Sequence, residues 1–250
     1  MTQTCGAMLR SWRERRRLSQ LDLANRADVS ARHLSYLENG RSRPSSAMIL
    51  RLCEHLDIPL REQNKVLLAG GYAPAHAEHA LTDPPLRQAN QAIEQILAAH
   101  QPWPALVVDR GWDLVSANDA IYRLVEGVDP ALLEPPVNVI RLALDPRGLA
   151  ARTVNLDEWR AHLLARIARE YDQCGDERLA LLLKEFGPVP SDAARNAELV
   201  ISLQLRAGDD VLSFISATTV FGTPHEVTLS ELAIETFYPA DDETRRLVAG

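Results

Sequence analysis

Three polar residues, Arg32, His33 and Tyr36, are spaced so that they share the exposed face of a helix whose apolar face carries Leu34 and Leu37. An arginine guanidinium can donate two hydrogen bonds to O6 and N7 of guanine, worth about 1–3 kcal/mol of discrimination between bases. An imidazole can donate to a base or a phosphate, and a phenol hydroxyl can reach a phosphate. This pattern is typical of a helix that enters the major groove of DNA.

The residues around this helix predict two short helices joined by a tight turn. Ser19 and Ser30 can each cap a helix, because a serine hydroxyl accepts a hydrogen bond from a free N–H group at a helix start. The turn needs a positive φ, which Asp28 tolerates better than most residues. Gly40 suits the left-handed position at the end of the second helix. The alternative is a helical hairpin that binds no DNA.

Residues 18–44 resemble the helix-turn-helix of the XRE family, the regulators similar to phage Cro and cI repressors. The residues that carry the resemblance are Leu18-Ser19-Gln20, Leu23-Ala24, Val29-Ser30, Leu34, Leu37-Glu38-Asn39-Gly40 and Arg43-Pro44. It covers roughly residues 6–70 and implies a five-helix, lambda-repressor-like DNA-binding domain. It departs at Asp28, where the family usually has Gly. The DNA-binding residues that the resemblance implies are Gln20, Ser30, Ala31, Arg32, His33, Tyr36, Asn39, Arg41 and Arg43.

The resemblance also implies different partners for these residues on DNA. The first residues of the second helix would meet base edges, where Ala31 can offer only a methyl contact. Gln20 would contact a phosphate from the start of the preceding helix. Asn39, Arg41 and Arg43 would contact phosphates or the minor groove. The alternative for the two arginines is exposed charge without a DNA contact.

The charge of the chain is unevenly distributed. The 250 residues have a net charge of −7. Residues 1–70 carry 12 Lys/Arg and 7 Asp/Glu, a net charge of +5, whereas residues 71–250 carry 15 and 27, a net charge of −12. A basic first part followed by an acidic remainder predicts a DNA-binding head on a body with another role. The length allows two domains and a sizeable core.

Cysteine usage and hydropathy predict the compartment. Cys5, Cys53 and Cys174 match no metal-binding spacing and are typical of reduced thiols in a reducing cytoplasm. No apolar stretch reaches the roughly 18 residues of a membrane span, and the N-terminus has no signal-peptide pattern. His76 and His79 lie three residues apart without a nearby third ligand, which favours ordinary histidines over a metal site. We therefore expect a cytoplasmic protein without a metal, cofactor or membrane partner.

The sequence predicts a DNA-binding domain at residues 1–72, a linker at 73–88 and a second domain at 89–250. The Pro- and Gly-containing stretch 71–85 suggests the linker. In the second domain an amphipathic helix precedes two short strands, a helical region covers 138–186, and strands end the chain. The predicted strands are 105–108, 112–117, 199–205, 211–221, 227–229 and 232–238. This order predicts an α+β domain with an antiparallel sheet and helical insertions.

Residues 138–170 and 229–248 resemble the MmyB-like ligand-binding domain, a PAS-like domain found behind XRE heads in bacterial transcription regulators. The resemblance covers roughly residues 90–248 and implies a small apolar or fatty-acid-like ligand. Candidates for a ligand site are Trp103, Trp112, Asn138, Arg141, Trp159, Phe214, Phe221 and Phe237. The aromatic side chains could equally form only a core. Arg141 could pair with a ligand carboxylate or make a structural salt bridge.

Enzyme signatures are absent from the sequence: there is no GxSxG, Walker loop, GxGxxG or HExxH. We therefore expect a bacterial transcriptional regulator and not an enzyme. It would bind a pseudo-palindromic operator as a homodimer, act as a repressor and respond to a small ligand. In the alternative, the C-terminal domain is a ligand-free dimerisation or protein-interaction module. A catalytic C-terminal domain would require perturbed titratable groups gathered in one cleft.

Overall fold

The computed structural model describes residues 3–187 and 201–249. The chain forms two compact units. The first contains Met1–His79 together with Pro224–Ser230, and the second contains Ala80–Thr223 and Glu231–Gly250. The segment Pro224–Ser230 therefore belongs to the first unit, although it lies far along the chain in the stretch predicted as the second domain.

The first unit confirms the predicted five-helix head. Its helices are α1 (Cys5–Arg15), α2 (Gln20–Arg26), α3 (Ala31–Glu38), α4 (Ser46–His55) and α5 (Leu60–Ala69). Leu9, Leu23, Leu34, Ile49 and Leu52 are fully buried between them. Val66 and Leu67 of α5 are buried as well, so that each helix places an apolar face in a shared core.

Local chemistry fixes the helix-turn-helix. The Ser19 hydroxyl accepts from the N–H of Asp22, whose carboxylate accepts from the N–H of Ser19, which makes a reciprocal cap at the start of α2. Asp28 has φ = 49° in the turn, and Gly40 has φ = 69° after α3, both as predicted. At Gly6 in α1, a Cβ would lie 2.1 Å from the carbonyl oxygen of Leu37. Glycine is therefore needed for the close approach of α1 to the end of α3.

The second unit confirms the predicted antiparallel sheet. Its strands are β1 (Ala105–Val108), β2 (Leu114–Ala117), β3 (Leu203–Ala207), β4 (Asp210–Val220) and β5 (Ala233–Pro239). Their order across the sheet is β2-β1-β5-β4-β3. The central pair β1 and β5 places Val107 opposite Ile234, and both residues are buried. All four residues of β1 are buried, as its continuous apolar sequence predicts.

The remaining helices lie before, between and after these strands in the sequence. They are α6 (Arg87–Ala99), α7 (Ala120–Leu124), α8 (Val139–Leu144), α9 (Leu156–Cys174), α10 (Glu177–Phe186), α11 (Val227–Glu231) and α12 (Asp242–Ala249). The predicted face of α9 is confirmed, because Trp159, Leu163 and Ile167 are buried. None of the helices in the described part of the chain is long and apolar enough to cross a membrane.

Three sequence predictions need correction. Residues 227–229 form part of helix α11, not a strand; the Glu226 carboxylate accepts from the N–H of Leu229 at 2.8 Å and so favours a helical turn. A short apolar run fits a strand or a helix equally well, which is why the strand prediction for residues 227–229 was wrong. The helical region 138–186 is interrupted between α8 and α9, where residues 149–152 form only a 3₁₀ turn. The predicted strand 199–205 begins at Leu203, and residues 199 and 200 lie outside the described part.

Candidate functional site

Helix α3 places Leu34 and Leu37 in the core of the first unit and leaves Arg32, His33 and Tyr36 at its surface. The Nε atom of Arg32 donates to the Tyr36 hydroxyl at 3.1 Å, and its Cζ atom lies 5.5 Å from the centre of the Tyr36 ring. The outward face therefore carries a cation, an imidazole and a hydroxyl. These groups can donate hydrogen bonds to the acceptor atoms of base edges and phosphates.

Ser30, Ala31 and Asn39 lie at the two ends of α3. The Ser30 hydroxyl accepts from the N–H of His33 at 3.1 Å and caps the helix, and Ala31 is the first helical residue. Asn39 Nδ2 donates to the carbonyl of Ser35 at 2.8 Å, and the same carbonyl accepts from the backbone N–H of Asn39 at 3.1 Å. These side chains hold the ends of α3 in place, and their contact with DNA stays a prediction.

The two arginines after α3 have different surroundings. Arg41 is exposed. Arg43 is also exposed, but its Nη2 atom donates to the carbonyl of Gly70 at 3.1 Å, and its Cζ atom lies 5.6 Å from the centre of the Tyr72 ring. Arg43 is thus held against the end of α5. Contact of either arginine with a phosphate stays a prediction.

A buried ion pair that the sequence analysis missed fixes α3 relative to α1. Arg13 binds Glu38 through two hydrogen bonds, Nε to Oε1 at 2.6 Å and Nη2 to Oε2 at 2.9 Å. Gln20 Nε2, predicted to contact phosphate, donates to the same carboxylate at 2.7 Å. Arg13 also donates to the carbonyl of Leu18 at 2.8 Å. The bidentate bond to Glu38 raises the pKa of Arg13, which therefore stays charged.

The second unit contains a cavity of about 70 Å³ between β-strands of the sheet and helices α7, α8 and α9. Such a volume holds several water molecules or part of a slender organic molecule. Its lining is mostly apolar and includes three of the predicted residues, Trp112, Trp159 and Phe237. The polar lining residues are Thr153, His162, Arg166, Ser216 and Glu235. A mostly apolar cavity with a few polar groups is the usual form of a small-molecule site.

Charges at one end of this cavity compensate one another. Arg166 donates to both carboxylate oxygens of Glu235, at 2.6 and 3.0 Å, and to Glu170 at 3.0 Å. The Arg166 Cζ atom lies 4.5 Å from the centre of the Trp112 ring, whose Nε1 donates to Glu170 at 2.7 Å. Burial by itself lowers the pKa of Arg166, but the hydrogen bonds and charges of the two carboxylates outweigh burial and raise it. The arginine therefore stays charged between two carboxylates.

His162 lies next to this network and stacks on Trp159, with ring centres 5.3 Å apart and an interplanar angle of 20°. Burial, followed by the positive charge of Arg166, lowers the pKa of His162. Its imidazole is therefore neutral at neutral pH. His162 and Arg166 are four residues apart in α9, on the face that also carries Trp159 and Leu163. Polar residues within that apolar stripe were the sequence signal that could have identified them.

Trp112 has a strained backbone, with φ = 64°. A bulky residue rarely adopts this conformation, and such strain is common at functional sites. The preceding turn holds it in place: the Asp109 carboxylate accepts from the N–H groups of Gly111 and Asp113, and the N–H of Trp112 donates to the Asp109 carbonyl at 3.0 Å. Arg178 in turn bridges Asp109 and Asp113. The indole of Trp112 therefore has a fixed position in the cavity wall, although the backbone that carries it is strained.

The other five predicted ligand residues do not line this cavity. Asn138 caps α8 and donates to the Gly111 carbonyl at 2.9 Å, and Phe214 is fully buried in the core. Arg141 forms a half-exposed salt bridge with Glu185 at 2.9 Å. Trp103 precedes β1 and Phe221 follows β4.

In the described part of the chain, no group of three or more His, Cys, Asp or Glu side chains is placed so that it could hold a metal ion. His76 Nε2 is hydrogen-bonded to Gln63 Oε1 at 2.9 Å. The three cysteines are buried free thiols, and burial raises the pKa of Cys53 to about 12, so that this thiol is inert at neutral pH.

Comparisons with known proteins match both units. A helix-turn-helix domain model matches residues 5–65, and the model of the MmyB-like transcription regulator ligand binding domain matches residues 89–249. No curated protein matches the sequence. This chain is similar to the crystal structure of the clp gene regulator ClgR from Corynebacterium glutamicum, with 26% sequence identity and a TM-score of 0.25. The match covers 40% of this chain and 94% of the ClgR chain. The chain therefore belongs to the MmyB-like transcription regulators and carries a DNA-binding helix-turn-helix domain ahead of their ligand-binding domain.

Proposed function

We propose that this regulator binds a specific operator as a homodimer through α3, and that a small, largely apolar ligand in the cavity of the second unit changes its affinity for that operator. The observation that carries the DNA-binding half is the orientation of α3. Its leucines are buried, while Arg32, His33 and Tyr36 are left at the surface. A helix-turn-helix dimer places two such helices in successive major grooves, which favours a pseudo-palindromic site. We propose repression, because occupying an operator requires only DNA binding.

The ligand half of the proposal is supported by the cavity and its apolar lining. The cavity favours a ligand-binding domain over the alternative of a ligand-free interaction module, whose core would be filled. A ligand can regulate DNA binding only if it binds one arrangement of the protein more tightly than another. Ligand binding in the cavity must therefore be coupled to the arrangement of the DNA-binding head.

The segment Pro224–Ser230 supplies a route for this coupling. Within the first unit, the N–H of His79 donates to Glu226 at 2.8 Å, the Thr228 hydroxyl donates to the carbonyl of His79 at 2.6 Å, and the N–H of Val227 donates to the carbonyl of Ala77 at 2.9 Å. In sequence the same segment joins β4 to β5, the strands that supply Ser216, Glu235 and Phe237 to the cavity lining. A ligand that displaces these strands would therefore pull on a segment that is hydrogen-bonded to Ala77 and His79, which follow the five helices of the head.

The test of the DNA-binding proposal is a gel-shift titration of the full chain on its own upstream intergenic DNA over a range of salt concentrations. Tight binding limited to one footprint, with a steep loss of affinity on adding salt, is the expected result. Sedimentation of the complex should show two chains on each operator. Weak binding that is indifferent to sequence would contradict the proposed operator recognition, and no binding at low salt would contradict the DNA-binding role.

Arg32→Ala should relax specificity at one base pair of the operator by about 1–3 kcal/mol, because it removes a bidentate donor to a base edge. Arg41→Ala is the matched control: it should weaken specific and non-specific DNA alike and flatten the salt dependence, as loss of a phosphate contact does. Gel shifts on operators substituted one base pair at a time measure both effects. An unchanged base preference in Arg32→Ala would remove this residue from the reading face.

Glu226→Ala should weaken the effect of the ligand on operator affinity. The variant should still bind the ligand and the operator. The variant loses the acceptor for the N–H groups of His79 and Leu229, and so loosens the segment from the stretch of chain that follows the head. Operator affinity is measured with and without octanoate or methyl octanoate, and calorimetry measures binding of the same compounds. We expect the ligand effect on the operator to fall several-fold while ligand affinity stays the same. Glu243→Ala, at an exposed position in α12, is the control; an unaltered ligand effect in Glu226→Ala would exclude this route.

A further inference from the structure

The indole N–H of Trp159 is a buried hydrogen-bond donor at the cavity wall. The side chain lines the cavity and the residue is only 4% exposed. Its Nε1 atom has no hydrogen-bond partner among the described residues. A buried indole N–H usually finds an acceptor, because leaving it unpaired costs free energy. A ligand in this cavity can supply that acceptor.

The ionisable groups of the cavity lining leave no net positive charge for an anionic ligand. The titratable groups in the described lining are His162, Arg166 and Glu235. Arg166 is bound to both carboxylate oxygens of Glu235 and also to Glu170, so its charge is already compensated. Burial keeps His162 neutral at neutral pH by lowering its pKa. A carboxylate entering here would lose its hydration and meet Glu235 without a free cation.

We propose that the ligand is an uncharged molecule with an apolar body and a single acceptor group, such as an ester, a ketone or a lactone, and that Trp159 Nε1 donates to that acceptor. This inference rests on the proposed ligand-binding function of the cavity and specifies the ligand class. It shares the apolar body of the fatty-acid-like ligand that the family resemblance implies. It differs in the head group, which is neutral.

The first test is calorimetric titration of the full chain with methyl octanoate and with octanoate at neutral pH. The two probes have the same acyl chain and differ in the charge of the head group. We expect the ester to bind on the order of 10-fold more tightly than the acid. Equal or tighter binding of the acid would overturn this inference and leave the ligand-binding function standing. If neither probe bound, the proposed ligand-binding function itself would fail.

The second test concerns the donor. Trp159→Phe keeps an aromatic ring and removes the N–H, so affinity for methyl octanoate should fall on the order of 10-fold, whereas affinity for nonane, which has no acceptor, should not fall. Trp103→Phe is the matched control, because it removes an indole that does not line the cavity. An equal loss for ester and alkane would show that the ring only packs, and would overturn the donor role.

A measurement on the unaltered protein tests the donor role directly. The indole N–H resonance of Trp159, identified by its loss in Trp159→Phe, should move downfield when methyl octanoate binds and should not do so with nonane. Such a shift reports a new hydrogen bond at Nε1. An unmoved resonance in the ester complex would contradict the proposal.

Discussion

Glu38→Gln should lower the free energy of unfolding of the first unit by about 3–5 kcal/mol, because it leaves the buried Arg13 guanidinium without its counter-charge. The side chains of Arg13 and Glu38 are 9% and 0% exposed, and two short hydrogen bonds join them. Gln20 also loses a charged acceptor in this variant. The substitution keeps the shape of the side chain, so the loss measures the charge and not a cavity.

Hydrogen exchange of backbone amides in α1 and α3 reports the stability of this unit separately from the rest of the chain. Glu54→Gln is the control, since Glu54 is an exposed residue of α4 and its substitution should change the stability by no more than about 0.5 kcal/mol. Operator affinity should fall with the folded fraction, because the pair holds α3 against α1. A loss below about 1 kcal/mol in Glu38→Gln would mean that the pair contributes no more than a surface pair.

Arg166→Met should destabilise the second unit by about 3–5 kcal/mol, because it leaves the Glu235 carboxylate buried and unpaired. Glu235 is 3% exposed on the central strand β5. The double variant Arg166→Met, Glu235→Leu should recover most of that loss, since replacing both members of a buried pair by apolar side chains is often close to neutral. Urea unfolding, followed by exchange of amides in α9 and β5, measures the two variants.

Arg141→Met is the matched control for Arg166→Met. The Arg141–Glu185 pair is 45% and 41% exposed, and its loss should cost less than about 1 kcal/mol. A single variant as stable as this control would show that Glu235 needs no partner.

The sequence alone determined those features that depend on neighbours along the chain. The five helices of the head follow from apolar residues at helical spacing, and the cap at Ser30 and the positive φ at Asp28 follow from side chains next to the turn they stabilise. Strand β1 follows from its unbroken apolar run. Where an apolar run was too short to separate the two periods, as at Val227, the run fitted a strand or a helix, and the carboxylate of Glu226 favoured the helical turn.

Only the tertiary structure decided which side chains meet across elements. Arg13 and Glu38 are 25 residues apart in sequence, and Arg166 and Glu235 are 69 apart, so nothing in either local pattern indicates the pair. The aromatic residues were equally good candidates for a cavity wall from their types alone, yet the fold places Trp112 and Trp159 there and Phe214 in the core. Local periodicity fixes the face of an element, whereas packing and strand register fix what that face contacts.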